Sequence, residues 1–170
     1  MRTCCPGANS HLLDSNICSI YNGYVTTVAA HQISAKTIEA TLGFAADDFG
    51  AGVAYVDLRT AQAQRLARVD FHVKRIPALL GHEVGYAALT AVAKRLADSG
   101  FQDASFKVAD SHLVDGLEGR AEVPSALGIA YVNLRCQLNR FRAVRIQADE
   151  GAAEDLAARA RAEATLHVAA

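Results

Sequence analysis

Residues 84–98, VGYAALTAVAKRLAD, place Gly85, Leu89, Val92 and Leu96 at 4-3-4 spacing. That spacing lays one apolar stripe along a helix and leaves Lys94, Arg95 and Asp98 largely off it. A helix with a single apolar stripe has to be buried against a second layer. Gly100 closes it as a C-cap. The segments on either side supply that layer. Residues 37–46 (TIEATLGFAA), 52–58 (GVAYVDL) and 64–73 (QRLARVDFHV) read as three consecutive strands, with a turn at 47–51. Leu66, Val69 and Phe71 are the apolar members of the third strand, and Pro77 and Gly81 punctuate the loop after it. Beyond the helix, 103–109 reads as a strand with Phe106 and Val108 on one face, and 111–118 as a short helix. Residues 125–140 form a helix with Leu127, Tyr131, Leu134 and Leu138 on one side. Residues 141–147 (FRAVRIQ) form a fifth strand, with Phe141 and Ala143 inward and Arg142 and Arg145 outward. Residues 151–164 are an Ala-rich terminal helix of strong propensity. The order β-β-β-α-β-α-α-β-α predicts an α/β fold: a mixed five-stranded sheet flanked by helices.

At 170 residues the chain is expected to hold one domain, at about 37–165, between an N-terminal extension (1–36) and a short tail (166–170). Apolar residues make up 51% and charged residues 21%, which excludes a disordered or collagen-like chain. Within the extension, 1–15 reads as an arm, and 16–30 as a small hairpin around Asn22-Gly23 or an add-on to the main domain. No leader-like segment or membrane-length apolar run is visible, so a soluble, cytoplasmic protein is expected. Cys4, Cys5, Cys18 and Cys136 form no C-x-x-C pair and read as reduced thiols. A zinc site on Cys4, Cys5 and His11 would lack the usual ligand spacing. Net charge is -1, so bulk charge does not select a polyanionic partner; only local patches can.

The stretch 107–119, KVADSHLVDGLEG, carries the most chemistry. A strand ends there on Asp110, and a helix opens with Ser111. A carboxylate at the carboxyl end of a strand lies where α/β sheets hold ligands, and its oxygens suit Mg²⁺ or Mn²⁺. The same Asp is also a good N-cap for the following helix. Arg135, Arg140, Arg142 and Arg145 cluster within eleven residues, with Arg159 and Arg161 beyond. Guanidinium groups suit phosphate oxygens. Alternatively, these arginines balance Asp149, Glu150, Glu154 and Asp155 on a solvated face. His72, His82 and His112 have no paired ligand spacing, and His82 and Glu83 read as loop. No nucleophile elbow, phosphate-binding loop or dinucleotide fingerprint is present.

Taken in order, four segments resemble the ribonuclease H-like family, in its reverse-transcriptase-like branch. They are the hairpin at 37–58 with Gly50, Gly52 and AYVDL, the helix VGYAALTAVAKRLADSGF at 84–101, VADSHLVDGLEGR at 108–120, and GAAEDLAARA at 151–160. The resemblance spans about 130 of 170 residues, and the third segment is its most specific part. It implies cleavage of the RNA strand of RNA–DNA hybrids by two metal ions about 4 Å apart, held by a cluster of about four carboxylates.

Carried over residue by residue, the first acid falls at Leu42-Gly43-Phe44, where there is none, with Asp47 and Asp48 slightly later. The second falls at Gly85, with Glu83 two residues earlier. The third is Asp110, and the fourth is Glu154 with Asp155 beside it. A second alignment, with the first strand at 17–23, also lacks a carboxylate there. The resemblance therefore implies a degenerate metal site at Asp110 and Glu154 on a protein that binds or scaffolds nucleic acid through Ser111, Arg135, Arg140, Arg142 and Arg145. One alternative is a divergent Mg²⁺- or Mn²⁺-dependent hydrolase rebuilt with Asp47, Asp48 or Glu83. Another is a protein-interaction module or homodimer that uses a sheet edge or the N-terminal arm.

Overall fold

The computed structural model describes residues 18–21, 24–27, 37–76, 79 and 81–168. The chain divides into two compact units, 1–34 and 35–170. In the first, β1 (Cys18–Tyr21) pairs antiparallel with β2 (Tyr24–Thr27), as a hairpin requires. The Asn22-Gly23 turn, the arm at 1–15 and the Cys4, Cys5 and His11 group lie outside the described residues.

The second unit is built on five strands. They are β3 (Thr37–Ala46), β4 (Ala51–Arg59), β5 (Gln64–His72), β6 (Asp103–Val108) and β7 (Ala143–Ala148). Their order in the sheet is β5-β4-β3-β6-β7. The first three form an antiparallel meander, while β6 and β7 run parallel to β3, so the sheet is mixed. The helices are α1 (His82–Asp98), α2 (Ser111–Glu118), α3 (Gly128–Leu138) after a 3₁₀ turn at Ser125–Leu127, and α4 (Glu150–Val168). α4 therefore runs past the expected start of the tail. No described helix is long and apolar enough to cross a membrane.

Strand alternation divides the core between the two faces. Ile38, Ala40, Leu42, Ala54, Val56 and Phe106 meet the stripe of α1, whose Gly85, Leu89, Val92 and Leu96 are all buried as their spacing predicts. Each Leu or Val buried there stabilises by about 1.5–3 kcal/mol. The opposite face packs more thinly, with Val53 and Tyr55 against Ala160 and flanked by Ala45 and Leu156. Four small residues of α4, Ala153, Ala157, Ala160 and Ala164, are buried. Their spacing makes a flat stripe that lets the helix lie close to the strands. Beside it, Tyr55 Oη donates to Glu163, and Arg68 Nη2 pairs with the same carboxylate at 2.6 Å.

Two strand parities differ from the sequence reading. Leu66 is 45% exposed, whereas Val69 is buried, because β5 turns 66 and 69 to opposite faces. At the other edge Phe141 is buried just before β7, and Ala143 is exposed. Ile146 fixes the inward face of β7 and puts Ala143 outward, one residue out of phase with the expected pattern. Arg142 and Arg145 are exposed, as read.

The tightest helix–sheet approach is at Gly43. A Cβ there would lie 2.0 Å from Ala157 N and 2.2 Å from the Leu156 carbonyl carbon. Backbone on both sides cannot yield as a side chain can. Gly43→Ala is therefore expected to cost at least about 2 kcal/mol, within the range of core overpacking. Chemical denaturation of the two proteins measures it, and an unchanged midpoint would show that α4 lies further out.

Candidate functional site

β6 ends at Val108, and Asp110 follows in extended conformation at the carboxyl end of the sheet. Its Oδ1 accepts a hydrogen bond from Leu113 N at 3.0 Å, so Asp110 is the N-cap of α2. A carboxylate at a helix N-terminus is favoured both by that bond and by the helix dipole. The other oxygen, Oδ2, faces α1. His82 Nδ1 lies 3.9 Å from it, beyond hydrogen-bond reach. His82 and His112 stack edge to face, with ring centroids 5.2 Å apart.

Gly85 completes this crevice. A Cβ on it would stand 3.2 Å from Asp110 Oδ2 and 3.2 Å from Phe44 Cζ. The position onto which the resemblance carries the second acid is thus directly across from Asp110, and it has no side chain. Of Leu42-Gly43-Phe44, where the first acid falls, Phe44 is the residue that reaches the crevice. Gly43 points to the other face, against α4. The Phe44 ring fills the space that Gly85 leaves open, as a close-packed interior requires, and offers no oxygen ligand.

The remaining candidate acids are engaged elsewhere. Asp47 stabilises the β3–β4 turn, its Oδ1 accepting from Phe49 N and Ala51 N, both at 2.9 Å. Asp48 is exposed in the same turn. Glu83 is not in a loop: the chain enters α1 at His82, after Gly81 at φ 96°. Two residues along a helix turn a side chain by about 200°, so Glu83 leaves α1 on the side away from Gly85. It is buried, with Oε1 3.3 Å from Ile76 N and 3.4 Å from Arg75 Nη1. Glu154 is exposed and pairs with Arg161 at 2.5 Å, and Asp155 is exposed beside it. An acid the sequence reading placed only on a solvated face is Asp149, at the exit of β7. Its N–H donates to Val108 O, and its Oδ1 caps α4 through Ala152 N at 3.1 Å. The signal for it was an Asp directly before a helical pattern.

Two metal ions need several carboxylates aimed at one space. Among the described residues, no three His, Cys, Asp or Glu side chains could hold a metal ion together. Asp110 faces a glycine and an aromatic ring, so these residues do not fit a two-metal centre.

The arginines fall into two groups. Arg140 pairs with Asp98 at 2.5 Å and Arg142 with Asp103 at 2.5 Å. These partners come from α1 and β6 and not from the acids expected. Arg135 Nη1 donates to Leu117 O at 3.3 Å, while Arg145 is exposed and has no charged partner among the described residues. Both line a cleft with Leu138 and Phe141, between the ends of α2 and α3 and the edge strand β7. Ser111 is exposed at the first position of α2.

No family model matches the sequence, and no curated protein does. Solved structures do match. The ribonuclease H1 of Halobacterium salinarum NRC-1 aligns with TM-score 0.57 and 19% identity, over 75% of this chain and 98% of that one. The N-terminal ribonuclease H domain of rv2228c from Mycobacterium tuberculosis aligns with TM-score 0.57 and 17% identity, over 78% and 98%. LC11 ribonuclease H1, solved in complex with an RNA/DNA hybrid, aligns with TM-score 0.53 and 11% identity, over 75% and 99%.

The crevice geometry has a consequence for stability. Tyr86 is buried beside it, and burial first, then the charge of Asp110, raises its phenol pKa. A phenol whose folded pKa is raised contributes stability that is fully present below the unfolded value of about 10 and is lost as pH rises through the folded value. The wild type is therefore expected to lose stability above about pH 10, and Tyr86→Phe to lose less there. Asp110→Ala should cost about 1 kcal/mol at neutral pH through the lost cap, and Asp110→Asn far less, since Asn caps as well as Asp. Urea melts at pH 7 and at alkaline pH test both; equal costs for Ala and Asn would remove the capping role. From sheet order, parallel and antiparallel pairings and helix placement, the chain has the ribonuclease H-like α/β fold.

Proposed function

We propose that this is a nucleic-acid-associated protein on a ribonuclease H-like fold, with a degenerate metal site, which binds or scaffolds rather than hydrolysing efficiently. The observation that carries this reading is the triad of positions at the crevice. Asp110 keeps its carboxylate, but Gly85 and the Phe44 ring stand 3.2 Å apart, as measured from a Cβ on Gly85, where two further ligands are needed. Binding is supported by the Arg135 and Arg145 cleft and by Ser111. It is also supported by a structural neighbour solved with an RNA/DNA hybrid. The Arg140 pair with Asp98 is exposed, and exposed pairs hold by only about 0–1 kcal/mol, so phosphate can compete for Arg140. Hybrid duplexes are read mostly by backbone and shape, so no base-reading motif is required.

The test is a labelled RNA–DNA hybrid in Mg²⁺ and in Mn²⁺, with Asp110→Asn in parallel and binding followed on the same samples. The expected result is binding without cleavage, weakening steeply with salt. Arg135→Ala combined with Arg145→Ala is expected to weaken it about tenfold. Cleavage that Asp110→Asn abolishes would replace this reading with the divergent Mg²⁺- or Mn²⁺-dependent hydrolase. Absence of both binding and cleavage would leave a protein-interaction module or homodimer on this fold.

A further inference from the structure

At the opposite end of α1 from Asp110, the helix and the sheet enclose a cavity of about 440 Å³, within the usual size of small-molecule sites. Its helix wall is Val92, Arg95, Leu96 and Ser99, which the helical period puts on one side of α1. On the sheet wall, Val56 pairs with Ala67 and Leu58 with Arg65, so these four share the face that α1 meets. Ala67 is too small to fill the gap between Arg65 and Val69, and the cavity stays open there.

The polar groups of the lining decide what can enter. Thr60 Oγ1 donates to Ala63 O and accepts from Ala63 N, and Ser99 Oγ donates to Arg95 O, so both hydroxyls are committed to nearby backbone. Among the described residues, no acid lines the cavity. Arg65 and Arg95 do line it, both exposed, and neither has an ion pair or a side-chain hydrogen bond among the described residues. Arg95 lies in the last turn of α1, where the helix dipole favours a cation. Arg65 has no such reason. It is a guanidinium on the α1-facing side of β5, in register with a leucine and without a counter-ion.

We propose that this cavity binds a free aliphatic carboxylate, with its chain on Val56, Val69 and Leu96 and its head on Arg65. A polyol would find both hydroxyls of the lining already committed, and a cationic amphiphile would meet two arginines. A neutral hydrocarbon would use the floor and leave the guanidinium unpaired. An apolar body with one anionic end uses both, because the guanidinium fork matches a carboxylate. Arg95, on the opposite wall, adds positive potential at the same cavity.

Titration of the full chain with octanoate, octanol and octylammonium, followed by amide chemical shifts and calorimetry, tests the assignment. Octanoate is expected to bind at least about tenfold more tightly than octanol, the range of a charge-assisted hydrogen bond, and octylammonium more weakly than either. The shifts should gather on residues of β5 and the end of α1. Arg65→Ala should bring octanoate down to octanol and leave octanol unchanged, and Arg65→Lys should restore part of the difference. Ala67→Leu, which fills the gap, should weaken octanoate and octanol alike. Equal affinity for octanoate and octanol, a preference that survives Arg65→Ala, shifts confined to other faces, or no binding at millimolar octanoate would overturn it. The last result would mean that the arginine stems themselves cover the apolar floor. Association with anionic phospholipid vesicles in place of free octanoate would also overturn it. Octanoate binding should persist when Arg135→Ala and Arg145→Ala are combined, so this site and the hybrid-binding reading fail separately.

Discussion

Adjacent residues of the central strand set the terms for both layers. Gly43 and Phe44 point to opposite faces of β3. On one face, Gly43 lets the α4 backbone come within what would be 2.0 Å of a Cβ, which brings the Ala-rich stripe onto the sheet. On the other, Phe44 reaches across to Gly85 at the start of α1 and fills the space beside Asp110. A shift of one residue in β3 would exchange these faces, driving a ring into α4 and leaving a hole by α1. The register with β4 and β6 is therefore held by shape as much as by the hydrogen-bond ladder.

The same packing keeps the crevice beside Asp110 filled with no side chain at 85. A glycine at 85 with nothing opposite would leave a void beside a buried strand, and voids destabilise in proportion to their volume. The Phe44 ring fills that space. Asp110 has a structural duty independent of any metal: it caps α2, as Asp149 caps α4. Its presence in the sequence is thus poor support for hydrolysis on its own.

Much of this was legible in the sequence, and the limits have physical causes. The α1 stripe, the strand order and the Asp110 cap were readable because they rest on local periodicity and on residues within a few positions of each other. Gly85 could be placed opposite Asp110 only through the family resemblance. What the sequence did not give was direction. Strand parity decided that Phe44, not Gly43, enters the crevice, and put Ala143 outward on β7. The point at which the chain enters α1 decided that Glu83 turns away from Asp110 toward Arg75 and Ile76. The partners of Arg140 and Arg142, namely Asp98 and Asp103, lie about forty positions away in sequence, so charge balance within the local cluster pointed to the wrong acids.

Glu83 and Asp110 are both acids near the start of α1, yet their environments oppose each other. Asp110 has one oxygen on a backbone N–H and the other facing a partly open crevice with two imidazoles nearby. Glu83 is sealed, with one oxygen on Ile76 N–H and Arg75 and the other without a hydrogen-bond partner among the described residues. A carboxylate on a backbone N–H at a helix start is held in place, whereas a sealed one is held by what packs around it.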